Sequence, residues 1–148
     1  MTNPLTTKGA QNFSLLLARL ALGALFIVAG WSKVSSGVSG FVNANARNVP
    51  AFLPDYIGRT YLFLVPFVEL LVGLALALGI FARVAALIML LMLVSFTVAV
   101  TGVLSQKPFH PNVVYMTLAF LLVAHGPGAY TASHLFKGGG GGAKKSAD

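Results

Sequence analysis

The run Val65-Pro-Phe-Val-Glu-Leu-Leu-Val-Gly-Leu-Ala-Leu-Ala-Leu-Gly-Ile80 decides how the rest of the chain is read. It is apolar enough for lipid, yet it carries one carboxylate, Glu69. A charge near the centre of a bilayer costs at least ~2.5–3.5 kcal/mol, so such a residue turns to the protein interior and has a partner there. On a helix, Glu69, Gly73 and Ala77 share a face, and Ala75 and Gly79 form a second pair of small residues. The acid therefore sits on a stripe suited to close helix packing.

Composition extends this reading to the whole chain. Of 148 residues, 57% are hydrophobic and 9% are charged, with a mean hydropathy of +0.84. A soluble domain carries roughly 25% charged residues. The chain reads as an integral membrane protein with room for about four spans of ~20 residues. The net charge of +7 comes from Lys and Arg scattered singly at the edges of apolar runs, which is a topology signal and not a nucleic-acid surface. There is no cysteine, which excludes disulfides, thiolate-held clusters and covalently attached haem.

The predicted architecture is all-α, an integral membrane four-helix bundle with a capping loop between helices 1 and 2. A polar tail covers 1–12, the membrane domain covers 13–136, and a flexible Gly/Lys-rich tail covers 137–148. Within the domain the helices are expected at about 13–31, 61–80, 84–104 and 112–126, with the extramembrane connection at 32–60. That connection is polar but holds apolar residues, and a short interfacial helix is expected from Gly40 to Asn48. A signal peptide at 13–31 is disfavoured, because the run is long and contains Arg19. The first half of the third helix, uniformly greasy from Leu87 to Leu93, is expected to face lipid. Trp31, Lys33, Tyr56 and Tyr61 read as interfacial anchors.

Arg19 lies on the face of the first helix that carries Gly23 and Gly30, and rise estimates leave roughly 9 Å in height between it and Glu69. Arg19 is accordingly expected to pair with Glu69. Gly23, Gly30, Gly73, Ala77 and Gly79 are expected to pack the helices together. Basic residues favour both termini in the cytoplasm by a small margin, with Lys8, Arg83, Lys137, Lys144 and Lys145 on one side and Lys33, Arg47, Arg59 and Lys107 on the other. The expected location is the cell inner (cytoplasmic) membrane, multi-pass.

Several motifs in order resemble the DoxX family of four-helix bacterial and archaeal membrane proteins. They are Arg19-x-x-x-Gly23-x-x-Phe26, Ala29-Gly30-x-x-Lys33, Val49-Pro50 closing the polar connection, Glu69-Leu-Leu-Val-Gly73, Ala82-Arg83-x-Ala85-Ala86, Asn112, and Gly126-Pro127-Gly128-Ala129-Tyr130. The chain departs from the family pattern after Tyr130, where Thr131-Ala132-Ser133 stands in place of a segment ending in an acid. The resemblance implies association with quinone-linked electron transfer, as in the thiosulfate:quinone oxidoreductase for which the family is named.

The residues themselves narrow the chemistry. His110 and His125 are ~22 Å apart in rise if they share a helix, too far to ligate one haem, and no separate cluster offers three or four converging metal ligands. No Ser-His-acid arrangement is brought together by chain order and depth. No metal or covalently bound cofactor is expected, and quinone is the cofactor that survives. A quinone pocket needs an apolar slot, aromatic walls and a donor or two, for which Arg19, Glu69 and His125, with Trp31, Tyr115 and Phe120 as walls, are the candidates. The competing reading of the Arg19–Glu69 pair is structural, a device that fixes helix register. Three functions stay open: a subunit or anchor of a quinone-linked electron-transfer complex without redox centres of its own, a purely structural accessory subunit of a larger membrane complex, and, least favoured, a small-molecule transporter. Expected partners are the lipid bilayer, other membrane subunits and quinone, with no nucleic acid and no catalysis by the chain alone.

Overall fold

The structure, a computed structural model, describes residues 8–103 and 112–132. Helix α1 runs Lys8–Ser35, α2 Val38–Asn45, α3 Asp55–Leu78, α4 Ala82–Val103 and α5 Asn112–His125, with a 3₁₀ turn at Ala46–Asn48 between α2 and α3. No strand occurs among the described residues. The connection expected between 104 and 112, His110 and the 137–148 tail lie outside the described residues.

Two boundaries differ from expectation in a way that matters below. Helix α1 continues through Lys33 to Ser35, and α3 begins at Asp55. The 32–60 connection is therefore largely helical. Prolines set the start of α3, where Pro54 precedes Asp55 and the Asp55 carboxylate lies at the positive end of the helix dipole. Gly79 ends α3 in the left-handed region at φ 74°, with Ile80 N–H donating to the Ala75 carbonyl at 2.9 Å and Gly79 N–H to Leu76 at 3.1 Å. This closure reverses the chain into α4 within three residues.

Helices α1 and α3 are each long and apolar enough to cross a bilayer, with mean hydropathy of 2.1 and 2.3 in their best windows. Ala82–Val98 and Asn112–His125 are apolar but shorter. The side of each helix that faces inward is made of small residues as much as large ones. On α1 the buried stripe is Arg19, Leu22, Gly23, Phe26 and Gly30, while Phe13, Leu17, Val28 and Trp31 point outward. This inversion suits lipid as the outer solvent, since packing rather than hydrophobic drive then holds helices together.

Helix α1 packs along α3 and α4 along α5, and the two pairs are joined by α3 against α4 and α1 against α5. The α1–α3 crossing is antiparallel and depends on glycine. A Cβ at Gly23 would come within 2.9 Å of the Gly73 carbonyl, one at Gly73 within 2.9 Å of the Gly23 carbonyl, and one at Gly30 within 2.7 Å of the Pro66 carbonyl. Ala77 packs on Gly23, whereas Gly79 serves as the end of α3. The first half of α4 does not simply face lipid. Ala82, Ala85, Ala86, Met89 and Leu93 form a helical stripe in the core with Leu22, Phe26, Leu76, Ala119 and Leu122, while Arg83, Val84, Leu87, Ile88 and Leu91 are exposed.

Candidate functional site

Two cations on α1 mark opposite ends of the molecule. They stand 14 positions apart, a rise of ~21 Å. Lys33 is on the last turn of α1, beside α2, and Arg19 is on the buried stripe farther down.

Glu69 pairs with Lys33 and not with Arg19. Lys33 Nζ donates to both Glu69 carboxylate oxygens at 2.5 Å. The physical reason lies in how side chains leave a helix. Every Cα–Cβ bond tilts toward its own helix N-terminus, so on antiparallel helices Lys33 leans down from the α2 end while Glu69 leans up toward it. Arg19 leans the same way as Lys33, but from the far side of Glu69, so its lean widens the separation. The expected Arg19–Glu69 pair also rested on ending the first helix at Trp31, which left Lys33 in a loop.

Around Lys33 the structure closes an apolar cavity of about 500 Å³. Its walls come from α2 and the 3₁₀ turn (Phe41, Asn45, Asn48), the 49–53 segment, the first turns of α3 (Ile57, Gly58, Tyr61, Leu62) and α4 (Ser95, Phe96, Val98). Gly58 lets the connecting segment lie on α3, since a Cβ there would meet Val49 Cγ1 at 2.3 Å. The Lys33 ammonium lies 5.2 Å from the centroid of Phe41 and 6.0 Å from that of Phe96, within reach of the ring faces. Tyr61 and Ser95 are hydrogen-bonded hydroxyl to hydroxyl across α3 and α4, and the Ser95 hydroxyl also donates to the Met92 carbonyl at 2.7 Å. Asn45 and Asn48 are turned back on their own segment, with Asn45 Nδ2 donating to the Phe41 carbonyl at 2.8 Å and Asn48 Nδ2 to Asn45 Oδ1 at 3.3 Å. Lys33, Tyr61 and Ser95 are polar groups on these walls, and Asn45 and Asn48 each keep a second amide N–H, while the rest is mostly hydrocarbon. Glu69 is 2% exposed and acts behind Lys33.

Arg19 is built into a different setting. It is 1% exposed, donating through Nη1 to the Pro127 carbonyl at 2.9 Å and through Nη2 to the Tyr130 carbonyl at 2.5 Å. Its Nε has no hydrogen-bond partner. The carbonyls reach it because Gly126 and Gly128 take φ of 79° and 74°, folding the chain after α5 back across α1, where Ala129 N–H donates to Asn12 Oδ1 at 3.1 Å. Gly79 completes the enclosure, since a Cβ there would lie 2.6 Å from Arg19 Nη1.

The sequence candidates for one pocket are thus dispersed. Glu69 reaches the cavity through Lys33. Arg19 is enclosed by backbone at the other end. His125 is exposed on the last turn of α5 with Nδ1 against the Leu121 carbonyl at 3.1 Å. Tyr115 packs on the core, and Trp31 and Phe120 point outward at 64% and 59% exposure. Sequence reasoning missed Lys33, Phe41, Tyr61, Ser95 and Phe96 as cavity residues. The available signal was Lys33 three positions after Gly30, which puts it on the close-packing face of α1 once the helix extends that far. Among the described residues no three His, Cys, Asp or Glu side chains converge as a metal site would require.

The DoxX family model matches residues 14–102. That stretch holds every residue of the Lys33 cavity and leaves α5 and Gly126–Tyr130 outside. No curated protein and no solved structure matches the chain.

Proposed function

The chain belongs to the DoxX family of small membrane proteins, and from that premise we propose that it is a subunit or anchor of a quinone-linked electron-transfer complex, with the Lys33 cavity receiving the quinone head group. The observation that carries this reading is the cavity itself, about 500 Å³, apolar-walled, with one partly buried ion pair and one hydroxyl pair at its edge. Such a combination of hydrocarbon walls and a few placed polar groups is what a small lipophilic ligand with polar ends requires. Quinone would supply the two-electron chemistry, and the chain's own residues would bind and orient it. Lys33 would donate to a ring oxygen, Glu69 would hold Lys33 in place, and Phe41 and Phe96 would flank the ring. With both termini in the cytoplasm of an inner membrane, the cavity would open at the outer leaflet.

The test is a quinone titration of the purified protein in detergent, together with turnover of whatever oxidoreductase co-purifies. Lys33→Ala is expected to weaken binding of a decyl-tailed benzoquinone at least tenfold, and Glu69→Gln to lower quinone-coupled turnover while leaving the protein abundant. No binding by the native protein and unchanged turnover in Glu69→Gln would remove the reading.

A second reading is favoured by the other end of the molecule. The Arg19 enclosure and the glycine crossing of α1 and α3 are close-packed, which suits a structural accessory subunit of a larger complex. That reading expects the partner complex to lose assembly when the chain is deleted, and to keep it in Lys33→Ala.

A further inference from the structure

The Lys33 cavity has two unlike outer sides. One is α2 with the 3₁₀ turn, which buries Val42 and leaves Ser39, Asn43, Ala44 and Arg47 exposed. A short helix with one apolar and one polar face lies along the interface with its polar face in water. The side made by the 49–53 segment, α3 and α4 is the reverse. Of the residues that line the cavity, the exposed ones are Phe52, Leu53, Ile57, Tyr61 and Val98, whereas Lys33, Asn45, Asn48 and Ser95 are only partly exposed. The cavity's outer edge is therefore apolar and aromatic. Its depth is set by α4. Arg83 is exposed at the start of that helix and, as a cation, belongs at a membrane interface. Val98 follows 15 positions later, a rise of ~23 Å, which is short of the ~30 Å of a hydrocarbon core. The Val98 edge thus lies among acyl chains.

We infer that the cavity opens sideways into the bilayer, through a mouth edged by Phe52, Leu53, Ile57, Tyr61 and Val98, and that it takes only the head group of a long-tailed ligand whose tail stays in lipid; with quinone as that ligand, the inference rests on the reading above. An apolar edge is unfavourable against water and costs nothing against lipid tails. The volume agrees. About 500 Å³ is the size of a pocket for one drug-sized molecule, for which ~300–1,000 Å³ is usual, so a ring and the first part of a tail fit and a polyprenyl chain does not. The remainder of such a chain has to leave the cavity. On the α2 side it would pass a polar surface into water, which is unfavourable for each methylene exposed. Through the Phe52–Val98 edge it continues in hydrocarbon. The head group accordingly reaches Lys33 from the membrane, and tail length is not read by the protein.

The experiment photolabels the full chain in phospholipid vesicles with an azido-benzoquinone and measures competition by decyl-tailed and polyprenyl-tailed benzoquinones, each expressed as mole fraction in lipid. The two competitors are expected to agree within about twofold. Because the chain has no cysteine, Val98→Cys at the mouth and Ala44→Cys on the outer face of α2 each give one site for a bulky maleimide, attached in detergent before reconstitution. The label at Val98→Cys should weaken competition by roughly tenfold or more, and the label at Ala44→Cys should leave it within about twofold. A polyprenyl competitor that fails where the decyl one succeeds shows a closed site and overturns the inference while leaving the quinone reading in place. A label that has no effect at Val98→Cys, or weakens binding as much at Ala44→Cys, overturns it in the same way. If neither tailed quinone competes in the unmodified protein, the quinone reading itself falls, and the inference with it.

Discussion

Arg19 and Lys33 occupy the same helix and are both inward-facing cations, yet the protein answers them in unlike ways. Lys33 meets a carboxylate at the edge of a cavity, whereas Arg19 meets only backbone carbonyls and is enclosed. The difference follows from chemistry. A guanidinium is planar, delocalised and weakly hydrated, so it tolerates burial and can gather carbonyls from a chain segment that has no helix to satisfy them. An ammonium is a compact, strongly hydrated charge, and here it keeps an anion at both of its nearest contacts and stays 22% exposed. A buried cation on a membrane helix is thus informative only together with what surrounds it. Enclosure argues for a structural brace, and a cavity argues for a ligand.

If the two ends are distinct, they can be damaged separately. Because the chain has no cysteine, Tyr130→Cys and Phe52→Cys introduce single labelling sites that report each end on its own. The largest effect is expected from Arg19→Leu, which strands the Pro127 and Tyr130 carbonyls and should cost ~2–4 kcal/mol. Labelling at position 130 should rise while labelling at 52 holds, and an equal rise at both would dissolve the distinction between the ends. Gly30→Val comes next, at ~1–3 kcal/mol, because a side chain 2.7 Å from the Pro66 carbonyl forces α1 off α3. As the crossing is shared, thermal unfolding should fall and both sites should label faster. Glu69→Gln is expected to cost only ~1–2 kcal/mol, since the amide still accepts one bond from Lys33. Its labelling change should be confined to position 52, and pairing Lys33→Met with Glu69→Leu should recover the lost stability, as removing both members of a buried pair often does. The smallest effect is Asn12→Ala, at ~0.5 kcal/mol, which releases the Ala129 amide and should be visible as slightly faster labelling at 130 with an unchanged melting temperature.

Much of this molecule is legible in the residues. The apolar runs mark α1 and α3, the Gly and Ala spacings mark the faces by which they meet, and Glu69 announces a buried polar contact. Helix extents were less legible. Nothing in Ser32-Lys33-Val34-Ser35 tells a polar loop from a last helical turn, and Asp55 to Thr60 resembles a connection until Pro54 is seen to start a helix there. Those few residues moved Lys33 from loop to helix, and with it the identity of the Glu69 partner. The role of Gly126 to Tyr130 was also hidden, because a carbonyl ligand leaves no trace in a residue's name.

By itself, then, the sequence determined an all-helical chain built for lipid, and required that its one acid among the apolar runs find a cation. Only the tertiary structure decided which cation. Hydropathy is read along one dimension, whereas a side chain leans toward the N-terminus of its own helix and meets a partner set by antiparallel packing. On α1 and α3 that lean brings Lys33 to Glu69 and carries Arg19 away from it.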